Sequence, residues 1–405
     1  MKPSQHKAEV LKAFKKVSPS LIDVETQETY QAYSERQRNL FRYRLKFPPE
    51  LFEGRSVIDF GCGTGEFDLV LAERGAMILG FDFNSDSIDR ANSLIARANV
   101  VEDVNIEFFV GDIDTFTIVP SSYDIALSMG VLAHVPDQRA MFTRMASSIS
   151  SGGYLILGFI EDSGLIQRLF HRAIVRATAI QDDAAINTTA RRLFGEHIER
   201  SVRHGNRSAE SVINDYLVNP HYVGVPIQVV DSWAQDLGLK HYSSWPSTEL
   251  PFTVDSPDQP IVSRMSDPYH TFLSLHRLRW MFANQSDLAT FSRLFEGFLP
   301  AAGLVEQILE TLCSTLQTGD LNPANLHNQR VLWADLGEEL ELALEAASSS
   351  LISGLGQVSG ELLKVLEFLT HGIHHEPDDL SLPVTDYLFK GYNGLGTSYA
   401  IWYKP

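Results

Sequence analysis

The feature that most constrains the fold is a glycine-rich loop between a short apolar strand and a helix. Residues 57–67 read VIDFGCGTGEF, and the three glycines are Gly61, Gly63 and Gly65. Glycine has no Cβ, so it permits positive φ angles and lets a ligand approach the backbone closely. In an open α/β sheet, ligands bind at the carboxyl ends of the strands. The glycine loop is therefore expected to face a ligand.

The sequence that follows this loop alternates short apolar segments with helical patterns. Strands are predicted at 56–60, 76–81, 106–110, 123–129 and 154–159, and helices at 66–74, 85–99 and 138–149. Repeated strand–helix alternation favours a parallel sheet with helices on both faces and right-handed crossovers. We therefore expect an α/β fold with a doubly wound, mostly parallel sheet.

The chain divides into five predicted segments. They are an N-terminal helical segment at 1–50, a sheet core at 51–160, a substrate-covering segment at 161–250, a helical insertion at 251–390 and a final sheet strand at 391–405. The insertion is predicted from leucines that repeat at helical spacing. The strand-like segments 239–245 and 397–403 are expected to lie side by side in the sheet.

Composition argues against several classes of partner. The formal net charge of −18 over 405 residues disfavours nucleic acid and anionic membranes, which usually require a dense basic patch. No apolar run approaches the roughly 18 residues that span a bilayer, and no signal-peptide pattern is expected. Two distant cysteines, Cys62 and Cys313, favour a reducing, cytoplasmic location. No metal site is expected, because His371, His374 and His375 precede Pro377 at a predicted helix end.

The residues after the loop decide between the ligands that glycine-rich loops usually hold. A P-loop closes with Gly-Lys-Ser/Thr, whereas Gly65 is followed here by Glu66 and Phe67. A dinucleotide fingerprint has its third glycine one place later than Gly65. Glu66 also brings negative charge to the helix N-terminus, where a phosphate would bind. A ligand with a cationic or neutral contact region remains.

Several motifs in register resemble the class I S-adenosylmethionine-dependent methyltransferases. The first motif of that family is an acidic residue followed by G-x-G-x-G, which Asp59 and the glycine loop match. The resemblance continues through 80–84, 110–114, 123–137 and 151–155, and it covers about residues 50–160. It implies a Rossmann-like fold, S-adenosyl-L-methionine as cofactor and methyl transfer as the reaction.

The resemblance also implies which residues contact the cofactor. They are Asp59, Gly61, Gly63, Gly65, Asp82, Phe83, Asp112, Ile113, Ser128 and Met129. Asp82 follows Gly65 by 17 positions and is expected to accept the two ribose hydroxyls. Asp112, Ile113 and Phe83 are expected at the adenine ring. Asp59 is expected near the methionyl amine, with Ser128 and Met129 along the methionine portion.

Residues that meet the acceptor are harder to predict. His134 follows the fourth strand and is the candidate general base, although a histidine there can also be structural. Tyr30, Tyr33, Asp215, Tyr216 and His221 are the candidate substrate-binding residues, with ordinary packing or surface roles as the alternative.

The predicted function is a methyltransferase that acts on an O or N atom of a small-molecule acceptor. Two alternatives stay open: a catalytically silent binding or scaffold protein with the same fold, and a protein methyltransferase. The helical insertion at 251–390 is the expected surface for a homo-oligomer, if one forms.

Overall fold

The structure is a computed structural model that describes most of the first half of the chain and parts of the second. The described residues are 3–16, 24, 26–97, 105–177, 180, 182–205, 207–219, 221–248, 277, 303–304, 306–311, 322–345, 360, 363–367, 369 and 397–405. The chain forms two compact units. The first comprises Met1–Glu161, Ile198–Ser247 and Thr397–Pro405, and the second comprises Asp162–His197 and Thr248–Gly396.

A seven-stranded sheet organises the described part of the first unit, in the order β3-β2-β1-β4-β5-β7-β6. The strands are β1 (Ser56–Phe60), β2 (Met77–Asp82), β3 (Ile106–Val110), β4 (Tyr123–Met129), β5 (Ile149–Phe159), β6 (Lys240–Trp245) and β7 (Ser398–Tyr403). The first five strands pair in parallel, and β7 is antiparallel to both β5 and β6. The predicted doubly wound, mostly parallel sheet is confirmed.

Helices connect the strands and supply further layers. Those described are α1 (Pro3–Lys16), α2 (Gln27–Asn39), α3 (Glu66–Ala72), α4 (Ser85–Arg97), α5 (Gln138–Ser148), α6 (Ile166–Ala177), α7 (Asp183–Gly205), α8 (Ala209–Ile213), α9 (Ile227–Asp236) and α10 (Pro323–Glu345). β1 buries four successive residues, as expected of a parallel strand covered on both faces. Its Val57 packs in an apolar core with Phe47 and Phe52 from the segment before the strand.

The strand order reverses at β1, because β2 lies on one side of it and β4 on the other. Ligands in open α/β sheets bind at such a reversal, at the carboxyl ends of the strands. A ligand is therefore expected at the loops that follow β1, β2 and β4.

The strand that comes last in the sequence, β7, lies inside the sheet and not at its edge. β7 lies between β5 and β6, and Trp402 of β7 donates a hydrogen bond from Nε1 to Asp231 Oδ1 of α9 at 2.8 Å. Both side chains are buried. A hydrogen bond between buried groups satisfies polar atoms that would otherwise be costly to desolvate, so it fixes α9 against the strand.

The segment expected at 161–250 is divided between the two units, after His197. Its first part includes α6, whose residues are almost all buried. The buried residues of α6 include the polar side chains of Gln167, His171 and Arg172. Buried polar groups need hydrogen-bond partners, so this helix is held by polar contacts as well as by apolar packing.

The second unit is helical in its described parts. Arg277 is buried and pairs with Asp162, and its Nη1 lies 3.6 Å from Glu306 Oε1. Phe170 of α6 packs against Trp333 of α10. Cys313 and the histidines at 371, 374 and 375 lie outside the described residues.

The described residues contain neither a candidate membrane span nor a candidate metal cluster. No helix among them is long and apolar enough to cross a membrane. The same part of the chain contains no group of three or more His, Cys, Asp or Glu side chains that could hold a metal ion.

Candidate active site

The glycine loop is built on positive φ angles. Gly61, Gly63 and Gly65 have φ values of 82°, 56° and 79°. A Cβ placed on Gly61 would lie 2.5 Å from Cγ2 of Val131, which belongs to the loop after β4. Gly61 is therefore required both by its backbone conformation and by the close approach of a neighbouring loop. That contact brings the β1 and β4 loops together.

Asp82 ends β2 beside the glycine loop. Its Oδ2 accepts a hydrogen bond from the Gly63 amide at 3.2 Å, and its Oδ1 accepts one from the Asn84 amide at 2.8 Å. Burial raises the pKa of Asp82, while these two backbone donors oppose the rise. A carboxylate oxygen has two lone-pair sites, so each oxygen can accept one further hydrogen bond. Asp82 can therefore receive two hydroxyl groups.

Two more acids lie beneath the loop. Asp59 of β1 and Asp68 of α3 are 3% and 0% exposed. Oδ1 of Asp59 and both oxygens of Asp68 find no hydrogen-bond donor among the described residues. Burial raises the pKa of Asp59 to about 7, and it also raises the pKa of Asp68 well above its ordinary value. The sequence predicted Asp59 as a site residue, but Asp68 belongs to no family motif.

Asp112 follows β3 and meets a partner that the sequence did not predict. Nζ of Lys7, from α1, lies 2.7 Å from both oxygens of Asp112 and 2.6 Å from Asp114 Oδ2. Burial lowers the pKa of Lys7, but the hydrogen bonds and charges of the two aspartates outweigh it and leave the pKa raised. α1 is thereby attached to the edge of the sheet that carries the loops.

The remaining predicted cofactor residues occupy the same edge. Phe83 and Ile113 are half-buried directly after Asp82 and Asp112. Ser128 is fully buried, and its hydroxyl donates a hydrogen bond to the Phe60 carbonyl oxygen at 2.8 Å. This donor therefore links β4 to the end of β1. Met129 ends β4 and is half-buried.

His134 lies in a polar cluster after β4. Its Nδ1 is 2.8 Å from the His221 carbonyl oxygen, and its Nε2 is 3.6 Å from Asp215 Oδ1. A carbonyl oxygen only accepts, so Nδ1 carries a proton and Nε2 is the basic nitrogen of the neutral ring. Asn219 Nδ2 lies 3.2 Å from the same Nδ1, and its Oδ1 accepts a hydrogen bond from the His221 amide. Arg207 donates to Asp215 at 3.0 Å.

Two residues of α1 join this cluster. His6 Nε2 lies 2.9 Å from the His134 carbonyl oxygen, and the His6 ring stacks on the His221 ring with centroids 3.6 Å apart. His221 Nε2 is 3.0 Å from Glu9 Oε2. Sequence reasoning missed His6 and Glu9, because a helical pattern does not say which edge of a sheet the helix will cover.

The tyrosines predicted at the substrate are separated by the structure. Tyr33 of α2 is 5% exposed and lies in the electrostatic field of Glu66 and Asp68, at the start of α3. Tyr30 lies beside Glu73, at the opposite end of α3. Tyr216 is fully buried. Of the two α2 tyrosines, Tyr33 is the one near the loop.

A family model described as a methyltransferase domain matches residues 51–199. This segment is therefore similar to methyltransferase domains. The match begins just before β1, so it includes the glycine loop, Asp82 and the loop after β4. α1 precedes the matched segment, and its Lys7 reaches Asp112 within that segment.

Curated relatives resemble part of this chain. The ubiquinone biosynthesis O-methyltransferase of Coxiella burnetii is 33% identical over 120 residues, which is 29% of this chain and 50% of that protein. The protein of the same name from Idiomarina loihiensis is 32% identical over 110 residues, or 27% of this chain and 43% of its own. The chain thus spans about half the length of the curated relatives it matches.

Solved structures also resemble this chain in part. Magnesium protoporphyrin IX methyltransferase from Synechocystis, with bound SAH, is 15% identical, covers 60% of this chain and 87% of its own, and has a TM-score of 0.33. An S-adenosylmethionine-dependent methyltransferase from Mesorhizobium loti is 26% identical. The match covers 28% of this chain and 50% of that protein, with a TM-score of 0.25.

Proposed function

We propose that this chain is an S-adenosyl-L-methionine-dependent methyltransferase that transfers a methyl group to an O or N atom of a small molecule. The observation that carries the proposal is Asp82, whose two oxygens each take one backbone donor and keep room for one hydroxyl. It lies beside the glycine loop at the strand reversal, where a ribose with two adjacent hydroxyls would bind.

The other residues of the edge fit the same cofactor. The buried carboxyl group of Asp59 suits a ligand that carries an ammonium and a sulfonium better than it suits a phosphate. Asp112, Ile113 and Phe83 would hold the adenine, and Lys7 shares the Asp112 carboxylate with it. When bound, S-adenosyl-L-methionine supplies an electrophilic methyl group on sulfur.

The acceptor side is proposed around His134. Its Nε2 can take the proton of an acceptor hydroxyl, and Asp215 at 3.6 Å would stabilise the imidazolium that results. The name of the curated relatives, O-methyltransferase, supports oxygen as the acceptor atom. Tyr33, Tyr216 and His221 would border the acceptor.

Calorimetry with S-adenosylhomocysteine and the full chain tests the cofactor proposal. We expect the wild type to bind and Asp82→Ala to bind at least tenfold more weakly, because hydrogen bonds to a charged group contribute about 1.5–3 kcal/mol. Asp86→Ala is the matched control, since Asp86 is exposed and should leave binding unchanged. Equal binding by wild type and Asp82→Ala, or no binding by either, would contradict the proposal.

A methyl-labelled cofactor then identifies the acceptor class. Label transferred to small phenols, carboxylic acids or amines supports the proposal, whereas label on protein in a lysate would indicate a protein methyltransferase. Cofactor binding without transfer to any acceptor would favour a binding or scaffold role.

The proposal extends to surroundings and assembly. Two distant cysteines support a cytoplasmic location. A homo-oligomer through 251–390 stays a prediction, since most of that segment lies outside the described residues. Sedimentation of the full chain at several concentrations tests the oligomer.

A further inference from the structure

The N-terminal helix α1 has one face whose side chains recur at helical spacing. The residues of this face are His6, Val10, Ala13 and Phe14. Val10 and Ala13 are buried, so the face is covered by other parts of the chain. His6 and Phe14 both contact His134, the proposed general base. α1 is therefore a source of residues that act on this base.

α1 contacts His134 directly at two places. His6 Nε2 lies 2.9 Å from the His134 carbonyl oxygen, and because a carbonyl oxygen only accepts, His6 is the donor. The ring of Phe14 meets the ring of His134 edge to face, with centroids 5.1 Å apart. The helix therefore holds both the backbone and the imidazole of His134.

α1 also reaches His134 through His221. The His221 carbonyl oxygen accepts a hydrogen bond from His134 Nδ1 at 2.8 Å. The His221 ring stacks on the His6 ring with centroids 3.6 Å apart, and its Nε2 donates to Glu9 Oε2 at 3.0 Å. This hydrogen bond lowers the pKa of Glu9, so the carboxylate keeps accepting at neutral pH. Two side chains of α1 therefore hold the residue that accepts the Nδ1 proton.

Two further contacts fix the place of α1. Lys7 Nζ lies 2.7 Å from both oxygens of Asp112, and Asn214 Nδ2 donates to the Ala13 carbonyl oxygen at 3.0 Å. Asn214 is buried, where a polar group without a hydrogen bond would be costly. The helix is thus attached near both of its ends, so it can determine where His134 lies.

We propose that His6 and Glu9 are positioning residues for the general base His134. They hold its imidazole with the proton on Nδ1 and the basic lone pair on Nε2, His6 through the backbone and Glu9 through His221. The proposal rests on the proposed function, because it concerns the base of that reaction. The proton of an acceptor hydroxyl passes to Nε2 as the acceptor oxygen takes the methyl group from the sulfonium, which leaves as a neutral thioether.

Two physical requirements of a general base explain why this support matters. The hydrogen bond at one ring nitrogen of a histidine determines which nitrogen is basic. The base must also be placed accurately, since a displacement of about 1 Å can lower a rate by about 10²-fold. α1 meets both requirements before an acceptor binds.

Nitrogen-15 NMR of the full chain, labelled at histidine, measures the tautomer of each imidazole. The signals of His134 are identified by their loss in His134→Gln. At about pH 8, where an ordinary histidine is neutral, the Nδ1–H form of His134 should exceed the Nε2–H form about tenfold, which is the effect of one intramolecular hydrogen bond. This ratio should fall about threefold or more in His6→Ala and in Glu9→Leu.

Conservative variants show whether the hydrogen bonds carry the effect. A glutamine side chain has both an N–H donor and a carbonyl acceptor. His6→Gln should therefore change the ratio less than His6→Ala, and Glu9→Gln should change it less than Glu9→Leu. Lys12→Ala is the matched control, because Lys12 is an exposed residue of the same helix, and it should match the wild type. Glu9→Leu serves the comparison alone if His6→Ala misfolds.

Turnover adds a measurement that general destabilisation would not reproduce. With the phenol that takes up the methyl label, kcat should fall about tenfold or more in His6→Ala, while calorimetry shows the wild-type affinity for S-adenosylhomocysteine. In the His134→Gln background, His6→Ala should lower kcat no further, because it acts through the same base. An equal loss in both backgrounds would overturn the positioning role.

The outcomes separate the two proposals. If the wild type binds S-adenosylhomocysteine but the tautomer ratio of His134 is the same in wild type, His6→Ala and Glu9→Leu, the positioning role is wrong and the proposed function stands. If the wild type binds neither S-adenosylhomocysteine nor S-adenosyl-L-methionine, the proposed function fails, and the positioning role fails with it.

Discussion

Replacing Gly61 by alanine should damage the sheet edge for two separable reasons. Gly61 has a φ of 82°, and a residue with a Cβ pays about 1–2 kcal/mol to adopt that left-handed conformation. The added Cβ would also lie 2.5 Å from Cγ2 of Val131, and overpacking of this kind costs about 1–3 kcal/mol. The two effects together predict a loss of about 2–5 kcal/mol in the stability of the β1–β4 region.

A second substitution separates the two contributions. Val131→Ala removes both γ-methyl groups, which would lie 2.5 and 3.1 Å from the added Cβ, but leaves the φ angle of residue 61 unchanged. In that background, Gly61→Ala should cost only about 1–2 kcal/mol, which is the conformational part. The difference between the two costs is the coupling energy of a double-mutant cycle.

Hydrogen exchange of peptides from β1 and β4 measures these free energies locally, which avoids assuming that both units unfold together. Each 1.4 kcal/mol changes the exchange rate about tenfold when the open form recloses faster than it exchanges. An equal cost of Gly61→Ala in both backgrounds would refute the contact with Val131. A cost below about 0.5 kcal/mol in wild type would refute the strained conformation too.

Three further predictions concern the site and the sheet. His134→Gln should lower kcat by about 10²- to 10⁴-fold with an acceptor that needs deprotonation. Calorimetry should show that its affinity for S-adenosylhomocysteine is unchanged. A kcat close to that of the wild type would make His134 a structural residue. Lys7→Met removes partly exposed ion pairs that contribute about 1 kcal/mol or less. Hydrogen exchange should therefore become faster in α1, while the amides of the sheet stay protected. Unchanged exchange in α1 would show that Lys7 does not hold the helix in place. Asp231→Ala should lower the free energy of unfolding in urea by about 1–3 kcal/mol, because it leaves the buried Nε1–H of Trp402 without an acceptor. Asp231→Asn should lower it less, because the amide oxygen of asparagine still accepts this hydrogen bond. Equal losses would show that the hydrogen bond does not determine the stability.

The sheet core was predictable from the sequence because it depends on local patterns. Strand-helix alternation and an ordered set of motifs identify β1 to β5, and they place the glycine loop and Asp82 at a common edge. Asp82 follows Gly65 at a spacing that one strand and one helix fix. The strand order determines where the side chains at strand ends lie.

The α1 side of the site was not predictable in the same way. His6, Glu9 and Lys7 reach the edge only because α1 lies across it, and the helical pattern of residues 3–16 is compatible with many placements. Asp68 was missed for a different reason. An acid in the first turns of a helix ordinarily indicates a favourable interaction with the helix dipole at the surface, so its burial is visible only in three dimensions.

The position of β7 has a consequence for synthesis on the ribosome. β6 ends at Trp245, whereas its only described sheet neighbour begins at Ser398, after the residues of the second unit that lie between Thr248 and Gly396. Domains generally fold as they emerge, from the N-terminal end. The strand edges of β5 and β6 that pair with β7 therefore stay without their hydrogen-bonding partner until β7 emerges. Exposed strand edges promote association with other chains, so release of Ser398–Tyr403 is the step that ends this exposure.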